Sequence, residues 1–322
     1  MRKRMNGMHR LVLVFGVLVL LFTLCMAGCA GDSGKSAEEL AAKTAKVLVK
    51  KAEPAGSDWV AFGLARWEGA VPESWMDAYL FDTEARTADC RGVFHERKYT
   101  ENAKVILALT ALGKDPGNVA GYNLLVPLAD FEQTVFQGVN GAAYALLALD
   151  SGNYEIPANV ADSTQATREM YVDYILDAQY SDGGWALSGD TSEADLTAMA
   201  LQALAKYQER ADVAEAIERG LVFLSENQNE DGGFTYFGAQ TCESVSQTIL
   251  ALTELGISLE DTRFIKEGNT LLDALLRFRQ KDGTFAHLLD GGTDMIATEQ
   301  AFLALVAADR MRLGESSVYH MH

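Results

Sequence analysis

Cysteine is scarce in this chain and poorly spaced for chemistry. The four copies, Cys25, Cys29, Cys90 and Cys242, form no Cys-x-x-Cys pair, which excludes a disulfide framework and a thiolate zinc site of ordinary spacing. No glycine-rich phosphate loop and no Gly-x-Ser-x-Gly elbow occurs, so phosphate binding and serine nucleophile chemistry lack their usual supports. Sustained alternation of apolar and polar residues is missing, which argues against an extended sheet. Basic residues are also short: 27 Lys and Arg face 45 Asp and Glu, a net charge of −18. Such a surface repels nucleic acid and bare anionic lipid.

The first residues are of a different kind. Arg2, Lys3, Arg4 and Arg10 lead into an apolar run, Leu11 to Leu24, too short to span a bilayer as an ordinary anchor. Met26-Ala27-Gly28-Cys29 then resembles a bacterial lipobox, with Met where Leu is usual. These features predict a signal peptide over 1–28 and a small, polar tether over 29–35 with lipid on Cys29. The mature protein is then expected at the cell surface, held to the outer face of the cytoplasmic membrane of a Gram-positive bacterium. Cleavage removes the four basic residues and takes the net charge to −22.

What the chain does contain is helical periodicity almost throughout. Twelve helices are predicted, at roughly 36–52, 57–67, 73–89, 98–112, 119–132, 138–150, 164–180, 194–208, 213–228, 242–255, 265–280 and 293–309. In order they pair into six hairpins, forming one domain over 36–312 with a tail over 313–322.

Every second helix mixes alanine and leucine on nearly all faces, as in Ala145-Leu-Leu-Ala-Leu149, Ala200-Leu-Gln-Ala-Leu204 and Phe302-Leu-Ala-Leu305. A helix apolar all round is buried all round. The alternate helices, such as Ala211 to Asn227, keep a charged face. This predicts an all-α fold, an α/α toroid in which six inner helices are wrapped by six outer ones. Antiparallel hairpins collect every outer-to-inner loop at one mouth. Gly113, Gly152 and Gly256 are placed to end inner helices, and Ser57-Asp58, Thr191-Ser192 and Thr293-Asp294 to cap them.

Three copies of one motif punctuate the C-terminal half: Gln179-Tyr-Ser-Asp-Gly-Gly-Trp185, Gln228-Asn-Glu-Asp-Gly-Gly-Phe234 and Gln280-Lys-Asp-Gly-Thr-Phe285. Their glutamines lie 49 and 52 residues apart, a period typical of repeat architectures. With Arg219-Gly-Leu-Val-Phe-Leu-Ser-Glu-Asn ahead of Gln228, the motif resembles the QW repeat of terpenoid cyclases and protein prenyltransferase β subunits. The N-terminal half, through Asp58 to Arg66, Ala108 to Pro116 and Gln137 to Gly141, resembles the toroid modules of Gram-positive surface proteins. Those are similar to the α-barrel of transcobalamin and intrinsic factor. The resemblance implies structural roles for Gln179, Asp182, the paired glycines and Trp185, and it admits a cobalamin-type ligand although no cofactor is called for by the residues themselves.

The catalytic sets of those families are incomplete here. Glu193-Ala-Asp195-Leu-Thr197-Ala198 matches the cyclase acid segment at Asp195, but Leu196 stands where a second aspartate helps set the acid. A carboxylate at a helix N-terminus is expected to stay ionised, so Asp195 reads as a cap, catalytic only in a cyclase-like reaction. Cys242 and His287 miss the prenyltransferase zinc spacing, and no metal site is expected. The sequence therefore favours a non-catalytic toroid that binds a ligand or partner at its mouth. The ligand could be corrinoid-like, another amphipathic molecule or a glycan. The expected ligand-binding residues are Asn140, Asp195, Tyr236, Phe237, Glu243, His287 and Asp294. The alternative is a cyclase-like or carbohydrate-processing enzyme using mouth carboxylates. Tail histidines His320 and His322 are expected to hold nothing fixed.

Overall fold

Alanine-leucine helices can bury themselves only against one another, and the computed structural model, which describes residues 33–159 and 162–321, shows them doing so. Residues from Ala37 onward form one unit. The inner helices are α2 (Asp58–Arg66), α4 (Thr100–Ala111), α6 (Val139–Ser151), α8 (Ala194–Leu204), α10 (Cys242–Glu254) and α12 (Met295–Leu313). Each packs on the next, and α12 returns to α2, so the ring closes. The outer helices are α1 (Ser33–Lys51), α3 (Glu73–Cys90), α5 (Phe131–Thr134), α7 (Arg168–Asp177), α9 (Ala211–Asn227) and α11 (Leu271–Leu276). The signal peptide over 1–28, the lipid site Cys29 and His322 lie outside the described residues.

In the inner ring, Ile106, Leu107, Ala142, Leu146, Leu201, Ile249, Ala301 and Leu305 are fully buried. Each such leucine or isoleucine contributes about 1.5–3 kcal/mol relative to exposure. The caps follow the inner-helix ends closely. Gly113 and Gly256 take left-handed backbone angles, with φ of 67° and 70°. Beyond them Lys114 N–H donates to Leu109 C=O and Ile257 N–H to Leu252 C=O, the bond that closes a Schellman turn. After α6 that left-handed residue is Asn153 and not Gly152. Asp294 caps α12, accepting from Ala297 N–H at 2.9 Å. The expected Thr191-Ser192 cap fails, because α8 begins later, behind Glu193.

The repeats act as joints. Gln179 Nε2 donates to Gly183 C=O and to Ala216 C=O on α9, both at 2.8 Å. Gln228 Nε2 does the same for Gly232 C=O at 2.9 Å and Phe264 C=O at 3.2 Å. A Cβ at Gly183, whose φ is 90°, would lie 2.5 Å from Arg219 C=O, so the glycine is needed for the outer helices to approach. In the third copy Gly283 C=O accepts from Thr44 Oγ1 of α1 at 3.1 Å, and the outer ring closes there too.

Two predicted helices keep less than half of their expected length. The stretch 119–132 holds a turn at Ala120-Gly121, both at positive φ, then the 3₁₀ segment Val126–Ala129 and the one-turn α5. Pro127 removes an amide donor from the middle of this stretch, while Asn123 and Asp130 side chains accept from nearby backbone N–H groups. The stretch 265–280 starts with a turn at Glu267-Gly268, again at positive φ. A capping box between Thr270 and Asp273 then fixes the start of α11 at Leu271. At the other end of the chain, α1 takes in the last three residues of the expected tether, since an existing helix extends at one bond per residue.

Two short hairpins, β1 (Thr235–Tyr236) with β2 (Ala239–Gln240) and β3 (Phe285–Ala286) with β4 (Thr293–Asp294), lie in mouth loops. The opposite end of the toroid carries the inner-helix C-termini. There Glu38 near the start of α1 meets Arg312 near the end of α12 at 3.2 Å.

Candidate functional site

The second residue of each inner helix forms a ring at the mouth: Trp59, Glu101, Asn140, Asp195, Glu243 and Ile296. Three of the seven expected binding residues belong to it. Asn140 Oδ1 is buried without a hydrogen-bond partner among the described residues. Glu243 Oε2 lies 2.9 Å from His287 Nδ1, so these two expected residues form a pair. Asp294 spends its carboxylate on the α12 cap. Phe237, at φ 48°, occupies the β1–β2 turn and is 90% exposed. Tyr236 lies beside it in β1, with its backbone paired to Ala239.

Below the ring the lumen holds a cavity of about 260 Å³. Trp59, Lys104 and Tyr144 line one side, and Gln247, Glu299 and Gln300 the other. Leu250 and Leu303 add apolar wall, and Ile296 stands at the rim. The floor is Tyr319, brought in by the segment after α12. The tail is thus fixed: Val318 and Tyr319 are buried, and the Tyr319 ring stacks on Phe62 at 5.6 Å. Arg66 holds this segment by donating to Ser316 Oγ, Ser317 C=O and His320 C=O. His320 therefore has a defined place, contrary to expectation, because its backbone oxygen serves as an anchor for Arg66.

Electrostatics inside the lumen depart from the sequence reading. Burial pushes the Asp195 carboxyl above its ordinary range, and the backbone N–H groups of Leu196 and Asp195 itself only partly oppose this. Desolvation outweighs the helix terminus, so the carboxyl is raised where the terminus alone would lower it. Glu299 is pushed up to about 7, by burial first, with the Lys104 ammonium opposing and the Asp58 and Asp294 carboxylates adding. Tyr144 is raised by burial and by Asp195 and Glu299. Beside them Asp58 is buried, with Oδ1 accepting from Tyr79 Oη at 2.9 Å and Arg86 Nη2 at 2.8 Å. Its other oxygen, Oδ2, lies 3.9 Å from Lys104 Nζ.

Glu254 closes α10 beneath the tail. Burial pushes its carboxyl up to about 7 from 4.5, against Ser317 and the Arg66 guanidinium, and His320 Nδ1 lies 3.6 Å away. Between about pH 4.5 and 7 the unfolded chain loses this proton while the folded chain keeps it, so stability falls as pH rises through that window and is level above it. Glu254→Gln is expected to remove this slope and to be more stable than the parent by roughly 3 kcal/mol at pH 8. Urea midpoints measured at pH 4.5 and pH 8 check it.

Lys104, Gln247, Glu299, Gln300 and Tyr319 escape the sequence reading. The available signal was a glutamine in an otherwise apolar helix, as at Gln202 within Ala200-Leu-Gln-Ala-Leu204. Among the described residues no cluster of three or more His, Cys, Asp or Glu could hold a metal ion, and none of the helices is long and apolar enough to cross a membrane.

A closed ring of inner and outer helices joined by Gln-Asp-Gly-aromatic turns defines the class, and the family comparison agrees with it. The chain belongs to the prenyltransferase alpha-alpha toroid domain family, whose model matches residues 137–237 and 212–314. No curated protein sequence matches. Among solved structures, an apo form of the type II terpene cyclase MstE from Scytonema superposes with a TM-score of 0.57 at 13% identity, over 87% of this chain and 98% of the cyclase. A protein from Actinoplanes gives 0.54 at 15% identity, over 87% and 99%. The unsaturated glucuronyl hydrolase from Bacillus sp. GL1 gives 0.51 at 13% identity, over 88% and 97%. At these identities the likeness is one of fold.

Proposed function

We propose that this chain is a lipid-anchored surface toroid that binds a small molecule in its central cavity, reached through the mouth. The observation that carries this is a cavity of about 260 Å³ in which Trp59 and Tyr144 stand beside Gln247, Glu299 and Gln300, an aromatic wall next to a few polar side chains. A concave site with apolar walls and a few converging polar groups is the usual form of a small-molecule site. The volume is just under the ~300–1,000 Å³ of drug-sized sites, so a whole tetrapyrrole would have to sit at the rim and not inside. Five successive mouth loops also each expose one apolar side chain, Val93, Phe136, Leu187, Phe237 and Leu289, which suits a mouth that meets a ligand or partner.

A catalytic reading draws on one observation, the raised carboxyls of Asp195 and Glu299 flanking Tyr144, which is where an acid for cyclase-like or glycosidic chemistry would stand. Turnover of a bound molecule would select it.

Ile296 is 61% exposed at the rim, so Ile296→Trp covers the opening without entering the core. Small molecules extracted from the chain purified from its own cells are expected to include one that is depleted roughly tenfold in this variant, the effect of about 1.4 kcal/mol of lost affinity. Equal recovery from both proteins counts against the cavity.

A further inference from the structure

The lumen contains a line of side-chain amides whose direction is fixed. Gln202 Nε2 donates to Ala198 C=O at 3.1 Å and Gln247 C=O at 3.2 Å. Backbone carbonyls only accept, so the nitrogen of Gln202 is placed and its Oε1 must face the other way. That oxygen accepts from Tyr319 Oη at 3.1 Å. One of the two hydrogens on Gln202 Nε2 is shared between Gln247 C=O and Gln247 Oε1, the latter at 2.9 Å, which leaves Gln247 Nε2 to donate to Gln300 Oε1 at 3.0 Å. The orientation passes through three amides on α8, α10 and α12. It ends with Gln300 Nε2 in the cavity wall, holding its hydrogens without a partner among the described residues.

The same cavity is lined by Trp59, Tyr144, Glu299 and Lys104, and the Tyr144 hydroxyl and Glu299 carboxyl make no hydrogen bond among the described residues. Lys104 is already matched by Glu101 at 2.7 Å and by Asp58, so the cavity carries no spare positive charge for an anion. The Trp59 ring, 5.4 Å from that of Tyr144, offers an apolar face beside these polar groups. Tyr319 stops the lumen short of the far end.

We infer that the cavity takes a neutral, polyhydroxylated ring of monosaccharide size, oriented by Gln300, Tyr144 and Glu299, with Tyr319 setting the depth. This deepens the binding function proposed above and rests on it. Hydroxyl groups both donate and accept, which is what a wall of mixed unpaired donors and acceptors requires. An isoprenoid chain would bury the same groups unpaired.

The test uses the full chain in detergent, titrated with glucose, galactose, mannose, N-acetylglucosamine and geranylgeraniol, followed by saturation-transfer NMR. At least one sugar is expected to bind and geranylgeraniol is not. Gln300→Leu is expected to weaken the sugar roughly tenfold or more. Tyr319→Ala, which deepens the pit, is expected to admit geranylgeraniol. Gln300→Glu keeps an acceptor for Gln247 Nε2 and removes only the donor, so it is expected to report the same loss even if Gln300→Leu or Tyr319→Ala folds poorly. Binding of none of the four sugars, or sugar binding indifferent to Gln300→Leu, overturns the assignment. If the parent binds geranylgeraniol and Ile296→Trp blocks it, the binding function stands and only the sugar falls. If nothing binds and nothing co-purifies, both fall.

Discussion

Trp185→Ala is expected to lower the stability of the chain by about 3–5 kcal/mol, the usual effect of emptying a fully buried aromatic site. Trp185 has no exposed surface. Its indole N–H donates to Ile175 C=O at 2.7 Å, and its backbone N–H donates to Thr197 Oγ1 at 2.9 Å. The residue thus ties α7, through its side chain, to the start of α8, through its backbone, and a Cβ at Gly220 would come within 3.0 Å of its ring. The site cannot collapse to fill the void without moving three helices. A thermal midpoint about 10 °C lower is the expected reading for a domain of this size. The repeat aromatic is therefore a structural part, as its motif implied.

The second large effect is expected at Asp58. Asp58→Ala should cost about 3 kcal/mol, because removing one partner of a buried charge network leaves the others uncompensated. The Tyr79 hydroxyl would lose its acceptor in a buried site, while Arg86, partly exposed, keeps Asp82 at 2.7 Å. By contrast, the Lys51–Asp282 pair is about as short, at 2.6 Å, but both side chains are over 40% exposed. Exposed pairs contribute little. Urea unfolding with an unchanged slope would measure both variants as differences in stability. A loss at Asp58 no greater than that of Asp282→Ala would show that the network is not load-sharing.

Much of the fold was legible because it is local and repeated. Gln179, Gln228 and Gln280 announce the joints, and the alanine-leucine texture separates inner from outer helices without any three-dimensional information. Helix ends at Gly113 and Gly256 followed from the same local rules. The stretch 119–132 did not, since Pro127 and the side-chain turns of Asn123 and Asp130 compete with helix over a few residues only. The tail was illegible for a different reason: Tyr319 finds its partners at Phe62 and Gln202, more than a hundred residues away.

The site divides in the same way. Asn140, Asp195 and Glu243 could be placed at the mouth because each follows directly on a helix start. Their neighbours Trp59 and Ile296 occupy the same position in the ring but are not polar groups of the kind sought, and Glu101 is spent on Lys104. Gln202, Gln247 and Gln300 come together only once the ring has closed. Asp195 shows the limit of a rule applied to one helix: the terminus favours the ionised form, and the burial that opposes it comes from the rest of the ring.

The central claim is that the lumen between the mouth ring and Tyr319 is a binding site. An electron-density map of the chain purified from its own cells tests this most directly. The account predicts ordered density in the cavity, within hydrogen-bond distance of Gln300 Nε2 and the Tyr144 hydroxyl. A cavity holding only water, or density for a bound molecule confined to another surface, would contradict it.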